Sequence, residues 1–197
     1  MTNSQFAERF LNTKFTDNQR MVLDTPGSFY FRGHRRLGKT TSLILRMFLS
    51  CLNEPEKRHV YFCASKAALE QAEKEFNDIM HVIGLRREDF EGYPQFYAAT
   101  AGKQRSVMGL YANRFFVDNL DLIFQDKEWM RTLMPIFVGD RHRACDQKLV
   151  AVGVGAIEGI EKRFNVIVAP YRDHEHEGDL SKYLSKEALD EQFYLVS

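Results

Sequence analysis

Residues 33–40 read Gly33-His34-Arg35-Arg36-Leu37-Gly38-Lys39-Thr40, a complete GxxxxGK[ST] pattern. This pattern constrains the fold strongly, because its chemistry needs a loop that joins a strand to a helix. The glycines let the backbone curl until successive N–H groups point at phosphate oxygens. Lys39 is then placed to reach β and γ phosphates as a point charge, and the Thr40 hydroxyl to join a Mg²⁺ shell. A helix starting there aims the positive end of its dipole at the same anion. The flanking sequence supplies both neighbours. Residues 28–32 (SFYFR) are a β-prone run after the break at Pro26 and Gly27, and residues 40–52 are apolar on nearly every face, as in a helix buried against a sheet. The competing reading is a basic turn with two incidental glycines.

Two arginines inside the loop are less ordinary. A guanidinium there could stabilise charge on a transferring phosphoryl group, and Arg35 is the candidate; otherwise one of the pair caps a surface carboxylate. A phosphate loop also needs a carboxylate at a strand end to hold Mg²⁺. Asp118, directly after Phe115-Phe116-Val117, has that setting, so Thr40 and Asp118 form the expected metal pair. The next residue is Asn119, whose amide can position water but cannot accept its proton, a loss of general-base help of typically about 10²–10⁴-fold. Asp121, three residues beyond Asp118, is the candidate to orient the water instead.

The rest of the chain alternates helix and strand. Residues 4–12 and 17–23 read as short helices, the second opened by Thr16 as N-cap. Residues 59–63 are a strand. Ser65 then caps a long helix with Leu69, Ala72, Phe76, Ile79, Met80 and Ile83 on its apolar side, a Glu70–Lys74 pair for support and Gly84 as its stop. Further strands are expected at residues 95–99, 114–117, 148–154 and 165–169, and helices at 126–134, stopping before Pro135, and at 185–194. Continuously apolar strands between helices imply an α/β fold: three layers around a mainly parallel, twisted sheet, with the nucleotide at the strand ends. Residues 1–172 form the expected core and 173–197, opening on an acidic, His-containing stretch, a C-terminal appendage.

With these residues in place, the chain resembles the ATPase domain of phage large terminases from about residue 15 onward. Asp17-Asn18-Gln19-Arg20 is similar to their adenine-recognising segment, and the resemblance gives Gln19 the base edge. The run from Arg35 to Thr41 is similar to their arginine-bearing phosphate loop, with Arg35 at the position of the catalytic arginine. The unit from Val60 to Ile83, with Ala64-Ser65-Lys66 at its turn, is also similar, and Gly109 to Asp118 stands where the family reaches its metal-binding strand. The resemblance implies ATP and Mg²⁺ as cofactors, with Gln19, Gly33, Arg35, Arg36, Gly38, Lys39, Thr40 and Thr41 around the nucleotide and Asp118, Asn119 and Asp121 on the metal and water side. It further implies double-stranded DNA as partner, a homo-oligomeric ring, portal and small terminase proteins, and action in the host cytoplasm and at the capsid. Two positions depart from the family. Asn119 stands where it has a glutamate, and Gly153-Val154-Gly155-Ala156 where it has a Ser- or Thr-containing coupling segment. No nuclease domain is expected here, which leaves DNA cleavage to a separate polypeptide. Competing functions are a weakly active or inactive ATP-binding assembly protein, and a helicase-like ATPase, for which the DExx box and second motor domain are missing.

Composition sets the remaining bounds. The 27 basic and 27 acidic side chains cancel, so DNA contact would need a local patch or a ring of subunits. Lys103 and Arg105 are the better candidates for a DNA-facing or trans-acting residue; Arg141-His142-Arg143 with Lys148, and Glu161-Lys162-Arg163, are short basic loops. Cys51 and Cys63 sit in apolar runs and read as buried thiols, Trp129 with Leu133 reads as core, and His174-Glu175-His176 reads as a solvated loop. No apolar stretch approaches the ~20 residues of a membrane span.

Overall fold

A computed structural model describes residues 1–90, 92–138, 148–162 and 164–169 of the chain. Helices α1 (Asn3–Leu11) and α2 (Asp17–Asp24) lead into strand β1 (Phe29–Arg32). Then follow α3 (Lys39–Asn53), β2 (His59–Cys63), α4 (Lys66–Val82), β3 (Gln95–Ala98), β4 (Arg114–Asp118), α5 (Leu120–Gln125), α6 (Lys127–Val138), β5 (Lys148–Gly153) and β6 (Asn165–Val168). The strands form one sheet in the order β3-β2-β4-β5-β1-β6, and every pairing is parallel.

Alternation along each strand builds the two faces. Phe29, Phe31, Tyr61, Cys63, Phe116, Val150 and Val152 join one core, packed under α3 and α4. Tyr30, Val60, Phe62, Phe115, Val117, Leu149 and Ala151 join the other, under α5 and α6. Both faces are covered, so β2 and β4 are buried at every residue, their polar ends His59, Arg114 and Asp118 included. This is the expected three-layer α/β arrangement, with a sheet that is wholly parallel.

Local signals fixed most helix ends. Thr16 and Gln19 form a reciprocal capping box at the start of α2. Ser65 accepts the Ala68 N–H at 3.2 Å to open α4. Gly84, at φ +72°, closes that helix, with its N–H on His81 O and the Leu85 N–H on Met80 O.

Three expectations need correction. The α6 helix does not stop before Pro135 but runs through it to Val138. Trp129, Leu133 and Phe137 lie one turn apart on its buried face, and their packing outweighs the ~3 kcal/mol an interior proline costs. Glu70 pairs with Lys66 at 3.5 Å, one turn before it, instead of with Lys74. The short helix α5, directly after Asp118, is an element the sequence pattern did not reveal. Trp129 is core, with its indole N–H on Thr100 O at 3.2 Å, and Cys51 and Cys63 are buried free thiols. Among the described residues no helix is long and apolar enough to cross a membrane. Cys145, Arg141-His142-Arg143, Arg163, His174-Glu175-His176, the helix expected at 185–194 and the appendage at 173–197 lie outside the described residues.

Candidate nucleotide site

Residues 33–40 link the end of β1 to the first turn of α3, as the pattern demands. Two residues bend the loop through the left-handed region, Arg36 at φ +67° and Gly38 at φ +67°. Glycine adopts that geometry without strain, whereas an arginine does so at a cost of about 1 kcal/mol or more. Leu37, between them, is buried and pins the loop to the core. Gly33 has no room for a side chain: a Cβ would stand 2.8 Å from Leu37 Cδ1 and 2.9 Å from Ala169 Cβ.

Inside this curl lies the Lys39 ammonium, which donates to Gly33 O at 2.8 Å and to His34 O. The Thr40 hydroxyl, in the first turn of α3, donates to Asp118 Oδ2 at 3.0 Å. Strand alternation explains the meeting. Asp118 continues the face of Phe116, which looks toward α3, while β5 separates β4 from β1 and leaves the α3 N-terminus above the gap. Asp118 is only 3% exposed. Burial pushes its carboxyl up to about 6, despite the Thr40 hydrogen bond and the Lys39 charge, which pull the other way. Its neighbour Tyr61 is fully buried, and burial together with the Asp118 charge drives the phenol well above its ordinary range.

The Asp118 carboxylate and the Thr40 hydroxyl are hard oxygen donors. A pair of that kind suits Mg²⁺, which takes one or two protein oxygens and completes its shell with water and phosphate. Among the described residues no group of three or more His, Cys, Asp or Glu forms a self-sufficient metal cage, so a cation here would need the nucleotide's own oxygens.

Gln19 reaches the loop from α2. Its side-chain oxygen accepts the Thr16 N–H at 2.9 Å, and its amide nitrogen lies so close to Gly38 that any Cβ there would collide with it. Arg35, Arg36 and Thr41 are exposed around the loop.

No family model and no curated protein matches the chain. Solved structures do. The large terminase ATPase domain of Thermus phage P74-26 aligns with a TM-score of 0.59 at 11% identity, over 98% of this chain and 97% of that one. A point mutant of that domain gives 0.58 at 11%, over 96% of each chain. The large terminase of another thermophilic bacteriophage gives 0.56 at 17% identity, over 89% of this chain and 49% of that one. The chain has the fold of a phage large terminase ATPase domain.

On this terminase-type P-loop fold, the metal-side candidates separate into two groups. Thr40 and Asp118 are in contact. Asn119 follows Asp118 in the left-handed conformation, φ +54°, and makes no side-chain cap to α5. That backbone suits asparagine better than a longer side chain. Asp121 is engaged elsewhere: it accepts the Val154 N–H at 3.3 Å and the Gly155 N–H at 2.9 Å. The turn after β5 is therefore part of the site's surroundings, as is Tyr30, whose hydroxyl donates to Gly155 O at 2.7 Å. The sequence marked residues 153–156 only as a departure from the resembled family, without their partners, and assigned Tyr30 no role. The one available signal was the pair of glycines at 153 and 155, where the resemblance led us to expect Ser or Thr. Lys103 and Arg105 are exposed on the 3-10 turn Gln104–Val107 and its N-cap, away from any contact with the loop that the structure records.

Proposed function

We propose that this domain binds ATP with Mg²⁺ in the 33–40 loop and hydrolyses it as the motor of viral DNA packaging. The observation that carries the reading is the Thr40–Asp118 contact at 3.0 Å beside a Lys39 ammonium folded into the loop. Residues far apart in sequence thus bring a hydroxyl, a carboxylate and a cation to one strand end, and the terminase-type fold supports the same assignment. Lys39 and the main-chain N–H groups of the loop bind the phosphates, with Gly33 and Gly38 permitting the curl. Thr40 and Asp118 would hold Mg²⁺, which would supply positive charge against the phosphates. Arg35, exposed on the loop, stabilises charge on the γ-phosphate, with Arg36 and Thr41 beside it around the nucleotide; Gln19 offers its amide N–H₂ to the adenine edge. Double-stranded DNA, further copies of the chain in a ring, and portal and small terminase proteins are the partners this role entails.

A second reading is a weakly active ATP-binding assembly protein. Asn119 has no proton-accepting group, and both Asp121 oxygens already accept main-chain N–H groups. Calorimetry of Mg·ATP with the wild type and Lys39→Ala, followed by steady-state turnover with and without duplex DNA, tests both. Micromolar binding lost in Lys39→Ala, with DNA-stimulated turnover, is the expected result. Binding without turnover selects the assembly protein, and no binding at millimolar Mg·ATP removes both.

A further inference from the structure

The turn after β5 is gripped from three sides. Gly33, first residue of the phosphate loop, donates its N–H to Gly153 O at 3.1 Å. Tyr30, on the strand entering the loop, holds Gly155 O from one side. Asp121, in the first turn of α5, holds the N–H groups of Val154 and Gly155 from the other, one with each carboxylate oxygen. Space is short at both ends of this turn, most of all at Gly153. A Cβ on Gly153 would collide with Asp121 Oδ1 and the Tyr30 hydroxyl, and one on Gly155 would stand 3.2 Å from Asp121 Oδ2.

The grip connects to the lysine. Lys39 Nζ sits on Gly33 O and His34 O, and it must leave those carbonyls to reach a phosphate. The Gly33 residue it releases is the one whose N–H is bonded to Gly153. An unbroken chain of contacts therefore runs from Lys39 through Gly33 and Gly153 to Asp121 and α5. Charge-assisted bonds to two consecutive N–H groups make its last link the strongest.

We propose that Asp121 is a positioning residue, not the base: its carboxylate couples occupancy of the phosphate loop to the α5–α6 layer through the glycine turn at 153–155. The proposal rests on the reading of residues 33–40 as a nucleotide site. It assigns to a side chain on α5 and to two glycines a linkage that the turn's own side chains do not supply.

Hydrogen exchange on the full chain, with and without saturating Mg·AMP-PNP, tests it. In the wild type, nucleotide should slow exchange in the loop at 33–40 and change it at Val154, Gly155 and the α5 amides of Leu122 and Ile123. In Asp121→Asn, which keeps one acceptor and loses the other, loop protection should remain while the α5 response disappears. Tyr30→Phe, which removes one hydroxyl from a buried ring, should weaken the same response. In turnover, each single variant should lower kcat by about tenfold, with the double variant no worse than the poorer single, because both act on one turn. An α5 response that persists in Asp121→Asn overturns the proposal. So does a kcat loss confined to Asp121→Asn with loss of the acid limb of its pH profile, which would make Asp121 the base. Absence of loop protection in the wild type is a different failure: it removes the nucleotide site, and the relay with it.

Discussion

Replacing Asp118 with asparagine should make the domain more stable and unable to use Mg·ATP. The carboxyl lies at the end of a fully buried strand and is 3% exposed. Burial lifts it from an ordinary 3.8 to about 6, net of the Thr40 hydrogen bond and the Lys39 charge. At about 1.36 kcal/mol per tenfold change in proton affinity, keeping it ionised in the folded state costs about 3 kcal/mol. The sign follows from the direction of the shift. Between 3.8 and about 6 the folded protein holds a proton that the unfolded chain has released. This group's contribution is therefore most favourable below that interval, falls as pH rises through it, and reaches its full penalty above it. The asparagine would keep an acceptor for Thr40 and carry no charge, so urea unfolding at pH 7.5 should show D118N about 3 kcal/mol more stable than wild type, with the gap closing toward pH 4. Saturating Mg·ATP at about 100 times Kd should add roughly 2.7 kcal/mol to the wild type and nothing to the variant. A variant less stable than wild type at pH 7.5 would refute the idea that the carboxylate is held there at a cost. One that still gained stability from Mg·ATP would refute its role at the metal.

Other perturbations test separate parts of the structure. His59 is 1% exposed, and burial lowers its pKa to about 4, so the unfolded chain takes up a proton below about 6.5 that the folded one refuses; this group alone should cost about 2 kcal/mol between pH 7.5 and 5, against the gain from Asp118, and His59→Gln should be more stable relative to wild type at pH 5 than at pH 7.5 by about that amount. Gly38→Ala places a methyl group against the Gln19 amide at a φ of +67°, and should abolish Mg·ATP binding by calorimetry and lower the melting temperature. Asn119→Glu forces a longer side chain into a left-handed position, so it should cost about 1 kcal/mol in urea while raising turnover by about tenfold or more; an unchanged rate would mean that a base at this position is not what the site lacks. Pro135→Ala restores a helix N–H within α6 and should raise stability by about 1–3 kcal/mol in the same assay.

The sequence revealed the elements whose cause is local. A GxxxxGK[ST] loop has one strand–helix setting in which its residue types make sense, and β1 and α3 lie where it requires. Thr16, Ser65 and Gly84 marked helix ends through hydrogen bonds made within a few residues, although the part of Gln19 in the first of these caps was not foreseen. What escaped depends on distant partners. The spacing of Trp129 and Leu133 marked a buried face, but nothing local says that Phe137 carries that face past Pro135. Asp121 has the residue type and spacing of a water-orienting group, and only the register of β5 against β4 shows which main-chain groups reach its oxygens. Tyr30 looked like one more apolar residue in a strand, because the acceptor of its hydroxyl lies 125 positions away.

Asn119 and the glycine turn are best understood together. A left-handed residue directly after Asp118 turns the chain into α5 and so places Asp121 in the first turn of that helix, near the Asp118 carboxylate. From there Asp121 reaches Val154 and Gly155, and its approach leaves little room for a side chain at 153 and crowds one at 155. Asparagine tolerates the left-handed backbone, the short helix carries the aspartate, and the glycines admit it; each residue choice makes the next one workable. Placing a glutamate at 119 alone therefore strains the turn that delivers Asp121, and adding a side chain at 153 alone displaces it. If the coupling is real, a Gly153→Ser substitution in the wild-type background should be as damaging as Asp121→Asn, while in the Asp121→Asn background it should add little, a non-additivity that independent sites would not show.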